Sequence, residues 1–276
     1  MKQIPQFSRA EAAAFELPAL DLAPTVAPAG GTLGVLLIHG FTSSPFEVRY
    51  LGERLSEHGV RVLAPVLRGH DSTPAELGRT TWQDWVAGVD EGFAHLAARC
   101  DRVAVIGQSL GGLLSLHLAA RRGAEVAAVC SLAAPLWLHR LARAALWATD
   151  PTRPVRGRLG RYLGSFPKLS GSDVRDPYIS QRNPGYRELP IAALHQLVAF
   201  MGVVERGLPA IEAPTLVIHS RGDHTAPYAC SEHIAAKVGA ETVRHCALDD
   251  SYHLIAVDVE RARVAAEVIG FLRQVV

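Results

Sequence analysis

The sequence predicts an α/β protein: a mostly parallel central sheet with helices on both faces and an inserted helical cap. Three observations predict it. Short unbroken apolar runs alternate with longer segments of helical period, as parallel strands buried on both faces require. Four polar residues of chemical interest, His39, Ser109, Asp223 and His253, each fall just past one of those runs, the rim where such sheets bind ligands. One stretch, 134–208, breaks the alternation; it carries several arginines and Pro167, Pro177, Pro184 and Pro190, with no clear buried strand. The expected division is a core of 1–133 and 209–276 with a cap insertion at 134–208.

The elements follow in order. Phe15-Glu-Leu-Pro reads as a short edge strand, and Pro24 to Gly31 as a connector. Val35 to Ile38 is a buried strand ending in His39-Gly40-Phe41. Ser44 as N-cap, Pro45 at the first helical position and Glu47 three residues after the cap form a capping-box pattern. Leu51 and Leu55 face inward, and His58-Gly59 stops that helix. Val60 to Val66 is the next strand; Arg68-Gly-His70-Asp71 after it reads as a turn held by its own polar side chains. Thr81 and Asp84 cap a helix whose Trp82, Trp85, Val86, Val89, Phe93 and Leu96 keep helical period. Val103–Ile106, Glu125–Leu132, Thr215–His219 and Val243–Leu248 are further strands, and Ala262–Leu272 is a closing amphipathic helix. Trp137 and Trp147 sit in the cap off any clear period, so they either line an acyl pocket or pack it.

Gly107-Gln-Ser109-Leu-Gly111 carries the chemistry. It joins a buried strand to a helix with Leu113, Leu114, Leu116 and Leu118 on its apolar side, the setting of a G-x-S-x-G nucleophile elbow. A serine at the apex of so tight a turn has strained backbone angles, and the flanking glycines keep strand and helix from colliding. A serine hydroxyl also needs a base. Of 12 histidines, His253 stands out, in a loop after the last strand and before the closing helix. Asp223, after the preceding strand, completes the order Ser, Asp, His; Asp249 and Asp250 are rival acids on the same short loop as His253. The expected oxyanion donors are the N–H groups of Leu110 and Phe41, with Gly40 permitting close approach of backbone to substrate. His39 is expected to hydrogen-bond under that loop.

Composition narrows the classes. With 276 residues, 28 Lys+Arg against 27 Asp+Glu and a net charge of +1, no bulk charge points to nucleic acid or to an acidic membrane surface. Cys100, Cys130, Cys230 and Cys246 are scattered without a C-x-x-C pair, as thiols of a reducing compartment are, and neither a metal site nor a disulfide is expected. The first ten residues lack a continuous apolar h-region, and no apolar stretch is expected to reach spanning length; the longest candidate, Ala124 to Leu138, is broken by Glu125, Ser131 and Pro135. The expectation is a soluble cytoplasmic protein without stable membrane association.

With those residues in hand, the chain resembles the α/β-hydrolase fold family, most of all its bacterial carboxylesterase and monoacylglycerol lipase group. The resemblance rests on His39-Gly-Phe-Thr-Ser-Ser-Pro45, Pro65-Val-Leu-Arg-Gly-His70, Thr81-Trp-Gln-Asp-Trp85, Gly107-Gln-Ser-Leu-Gly-Gly112, Gly222-Asp223 and Ser251-Tyr-His253 with Asp258 beyond. It runs from about residue 33 to the end and is weakest in the cap. It implies cleavage of carboxylic esters of short to medium acyl chains through an acyl-enzyme, monoacylglycerols for some members, and no cofactor. Two features depart from the group. Asp249-Asp250 adds negative charge that is expected to raise the pKa of His253. The cap is basic at Arg158-Leu-Gly-Arg161, where a glycerol-binding member is expected to offer an acid. Fold analogy leaves open a slow triad-bearing receptor, or hydrolysis of a thioester, amide or C–C bond.

Overall fold

The computed structural model describes residues 9–20, 22–23, 25–27, 30–168 and 171–276; most of the first ten residues and part of the Pro24–Gly31 connector lie outside them. The chain opens with α1 (Arg9–Ala12) and β1 (Phe15–Leu17). The first half of the core is β2 (Leu33–Ile38), α2 (Phe46–Glu57), β3 (Val60–Ala64), α3 (Pro74–Leu77), α4 (Trp82–Ala97), β4 (Arg102–Gln108), α5 (Leu110–Arg122) and β5 (Val126–Leu132). An excursion follows, with α6 (Arg140–Ala148), α7 (Pro154–Leu163), β6 (Ser165–Pro167), α8 (Pro177–Arg182) and β7 (Glu188–Pro190). Then come α9 (Ile191–Gly207), β8 (Thr215–Ser220), α10 (Ala229–Lys237), β9 (Val243–Leu248) and α11 (Arg261–Val275).

The strand order is β1-β3-β2-β4-β5-β8-β9, with β1 antiparallel to β3 and every other neighbouring pair parallel. Side chains alternate between two apolar layers, as the period of a strand dictates. Val35 and Leu37 pack with Val48, Leu51 and Leu55 of α2 and Val264, Val268 and Phe271 of α11. Leu36 and Ile38 pack with Trp85 and Phe93 of α4, Leu113 and Leu116 of α5, and Phe200 of α9 on the other face. The chain reverses direction across the sheet between β2 and β4, whose last paired residues are Ile38 and Gly107. The loop after β2 therefore lies beside the turn after β4, at the switch point where ligands of such sheets bind.

Two caps show how local pattern and tertiary demand compete. At α4 the capping box forms: Thr81 Oγ1 accepts the Asp84 N–H, and the Asp84 carboxylate accepts the Thr81 N–H at 2.8 Å. At α2 it does not. Pro45 occupies the cap position in helical conformation, Ser44 Oγ has no partner among the described residues, and Glu47 turns instead to the Gly40 N–H. The loop after β2 buries that N–H where water cannot reach it, and the acid satisfies it.

The excursion differs from its expected bounds. In α9, Leu194, Leu197, Phe200, Met201 and Val204 are buried in the cluster that contains α5, so the chain rejoins the core layer at 191, ahead of the expected 209. Ile191–Ala210 is also apolar enough to cross a membrane by length and composition, with mean hydropathy 1.3, which the stretch Ala124–Leu138 is not. Here it lays its apolar stripe on α5. Strands β6 and β7 form an antiparallel two-stranded ribbon that no pattern announces, because three residues are too few for a period to show.

Candidate active site

The turn after β4 has the expected geometry. Ser109 lies between β4 and α5 with φ 56° and ψ −115°, a strained conformation of a kind that costs about 1–3 kcal/mol. Its N–H donates to Leu132 O at 2.8 Å. A Cβ on Gly107 would stand 2.0 Å from Gly111 O, and one on Gly111 would stand 2.0 Å from Ile38 O. Both positions therefore admit only glycine. Leu110 is the first residue of α5, so its N–H is one of those the helix ladder leaves unpaired.

The rim gathers three side chains from distant parts of the sequence. His253 Nε2 lies 2.8 Å from Ser109 Oγ, and His253 Nδ1 lies 2.7 Å from Asp223 Oδ2. A carboxylate only accepts, so Nδ1 carries the hydrogen and Nε2 presents its lone pair to the serine hydroxyl. All three are nearly buried, with Ser109 6%, Asp223 7% and His253 5% exposed. Asp223 Oδ1 accepts the N–H groups of Thr225 at 2.8 Å and Ala226 at 2.7 Å. Burial raises the Asp223 pKa, yet the neighbouring His253 and the hydrogen bond from His219 outweigh it and hold the carboxyl well below the usual range.

Several further residues complete this geometry; of them the sequence motifs include Gln108 and Asp258 but give no role to either, and leave out His219 and Asp173. His219, fully buried at the end of β8, brings Nε2 within 2.9 Å of Asp223 Oδ2. Gln108 donates to His253 O at 2.8 Å and accepts the Ala256 N–H at 3.2 Å, tying the elbow to the histidine loop. Asp173 O accepts the N–H groups of His253 and Leu254, each at 3.1 Å, while its carboxylate takes the His224 N–H at 3.1 Å and the Thr225 hydroxyl at 2.8 Å. Buried Asp258 accepts N–H groups from Arg175, Asp176, Tyr252 and Val259. Of these, Gln108 inside the elbow and His219, four residues before Asp223, carried a positional signal; Asp173, in a segment without period, carried none.

Other candidates take quieter places. His39 Nδ1–H donates to Gly40 O at 2.9 Å and Nε2 accepts the Leu67 N–H at 3.0 Å; burial pulls its pKa down to about 3, so it stays neutral. His70 Nδ1 donates to Arg68 O at 3.2 Å, holding the turn as expected. Phe41 stacks edge-on to His70 and Trp85, and a Cβ added to Gly40 would lie 3.4 Å from Ser109 Cβ, so that backbone borders the nucleophile turn. Trp137 packs against the core and edge-on to His233 of α10, whereas Trp147 is 63% exposed under the Arg156 guanidinium. Packing, then, is what the structure gives Trp137. Asp249 and Asp250 are exposed and pair with Arg221 at 3.4 Å and Arg175 at 2.8 Å. The charges that raise His253, contrary to the expectation from Asp249-Asp250, come first from Asp223 and then from Asp173 and Glu47.

The comparisons with known proteins fit this geometry. The sequence profile of a family described as "Serine aminopeptidase, S33" matches residues 33–260. The chain belongs to that family. It is thus a serine hydrolase of the α/β-hydrolase fold. This S33 member is 30% identical over 256 residues to the thermostable monoacylglycerol lipase of Bacillus sp. (strain H-257), covering 93% of this chain and 96% of that one. It is 28% identical over 246 residues to the carboxylesterase of Bacillus subtilis (strain 168), covering 89% and 94%. Among solved structures, a chain from work on the metagenome-derived lipolytic enzymes LipS and LipT superposes with a TM-score of 0.82 at 29% identity, over 96% of this chain and 98% of that one.

Proposed function

We propose that this S33 member hydrolyses carboxylic esters of short to medium acyl chains through an acyl-enzyme, with Ser109, His253 and Asp223 as nucleophile, base and orienting acid. The chain of contacts from Asp223 through His253 to Ser109 carries the reading. Ser109 Oγ attacks the ester carbonyl as Nε2 takes its proton. The carbonyl oxygen gains the negative charge, which the N–H groups of Phe41 and Leu110 receive. Collapse expels the alcohol, to which His253 returns the proton. Water then repeats the sequence and frees the acid, and no cofactor enters. Gly40 lets the backbone approach the substrate, and the excursion 134–190 acts as a cap over the site. Cytoplasmic location and a free small-molecule ester complete the reading, and the relatives named as carboxylesterase and monoacylglycerol lipase support it. The exposed arginines of α7 weigh against glycerol recognition there.

Rates on p-nitrophenyl esters from acetate to laurate, a matched p-nitroanilide and monoacylglycerols test the bond and the chain length. Esters up to medium length are expected to turn over far faster than the anilide. An anilide rate above the ester rates would overturn the ester reading.

The pH profile gives a second check. Burial of His253 works against its protonation, but the Asp223 carboxylate, with Asp173 and Glu47 further off, outweighs burial and raises the pKa above its ordinary 6.5. The base must be neutral, so kcat/KM is expected to rise with pH through a limb above 6.5. Asp250→Asn is expected to leave that limb in place. A limb at or below 6.5, or one moved by that substitution, would contradict the assignment.

A further inference from the structure

The loop 38–43 is pinned at every peptide that bounds the Phe41 N–H. Gly40 O is held by His39 Nδ1 and Gly40 N–H by Glu47 Oε2, at 2.9 and 3.3 Å. Peptide C=O and N–H groups point in opposite directions, so fixing Gly40 O on His39 sends the Phe41 N–H to the other side of the loop. Phe41 O accepts the Thr42 hydroxyl at 2.6 Å, and that same hydroxyl oxygen accepts from Lys168 Nζ at 2.8 Å. Thr42 itself sits at φ 57°, a conformation that needs outside support, and its carbonyl accepts the Tyr186 N–H at 2.8 Å.

Two of these partners are ionisable groups drawn away from water, Glu47 buried and Lys168 half-buried. Glu47 is 3% exposed; burial raises its pKa and the charge of Lys168 acts against that rise. Lys168, just past β6, is likewise desolvated; burial lowers its pKa and Glu47 opposes the fall. A carboxylate alone behind the loop would repel the charge that develops on the substrate oxygen. The charge of Lys168 opposes that repulsion.

We propose that Glu47 and Lys168 are positioning residues for the hydrolytic reaction: the acid holds the Gly40 N–H and the lysine holds the Thr42 hydroxyl, and together they clamp the 40–43 loop so that the Phe41 N–H stays aimed at the oxyanion. The cap thereby contributes one half of the device that orders the core's oxyanion loop. The inference rests on ester hydrolysis at Ser109 with Phe41 as a donor.

The test measures kcat and KM on p-nitrophenyl butyrate, well below the unfolding temperature, for the wild type and three variants. Lys168→Met is expected to lower kcat about 100-fold with KM changed less than about threefold, the signature of an interaction made in the transition state. Adding Glu47→Gln removes the stranded charge and keeps an acceptor for the Gly40 N–H, so the double variant is expected to regain at least about tenfold in kcat. A double variant no faster than Lys168→Met overturns the inference. Should Lys168→Met fail to fold, the comparison moves to two uncharged pairs. Glu47→Gln/Lys168→Met is then expected to exceed Glu47→Leu/Lys168→Met by about tenfold in kcat, because only the former retains the acceptor. Equal kcat values overturn it. Wild type without esterase activity would sink the ester reading and this one together, whereas active wild type with equal variants would sink this one alone.

Discussion

Ser109→Ala is expected to lower ester turnover by about 10⁵-fold or more while leaving the fold intact. The substitution removes one oxygen atom from a position whose backbone is set by Gly107, Gly111 and the Leu132 carbonyl, so the turn has no reason to relax. His253 and Asp223 stay paired, and the oxyanion donors remain. The residual rate measures what those donors and substrate binding achieve without a nucleophile. Steady-state rates on p-nitrophenyl butyrate, with unfolding temperatures matched to wild type, check it. Retention of more than about a hundredth of the wild-type rate would mean another nucleophile acts.

Asp223→Asn is expected to cost about 10⁴-fold in kcat, and the structure says why so small a change does so much. The Oδ1 position receives two backbone N–H groups, from Thr225 and Ala226, which demand an acceptor. The asparagine oxygen takes that position and its NH₂ is left facing His253 Nδ1. An NH₂ there donates, so Nδ1 becomes the acceptor and the ring proton moves to Nε2. Imidazole in that tautomer cannot take the proton of Ser109. His219, whose Nε2 also points at Asp223 Oδ2, meets the same mismatch. A loss confined to KM, or a kcat within tenfold of wild type, would contradict this account.

Much of this is legible in the sequence alone. Strands buried on both faces read as unbroken apolar runs, and a serine between Gly107 and Gly111 allows few conformations. The same spacing put Asp223 and His253 past later strands, and a parallel sheet brings strand ends to one rim whatever the separation in sequence. What escaped was decided by tertiary partners. Glu47 fits a capping box perfectly well on paper, but the buried Gly40 N–H competes for it and wins. Asp249 and Asp250 stand near His253 in sequence, yet exposure and arginine partners screen them, while Asp173 and Glu47 arrive from elsewhere. Lys168 and Asp173 lie in a stretch whose prolines and glycines hide any period, so only the folded chain shows that they reach the oxyanion and histidine loops. The early return at Ile191 escaped for a related reason: its apolar stripe was not bounded by a strand that would mark it as core.

Reaction of the protein with a fluorophosphonate, followed by peptide mapping in a mass spectrometer, tests the central assignment most directly. One adduct is expected, on Ser109, abolished in Ser109→Ala and slowed in Asp223→Asn in proportion to the loss of ester turnover. An unmodified Ser109 in protein that still hydrolyses esters, or an adduct at a different residue, would contradict it.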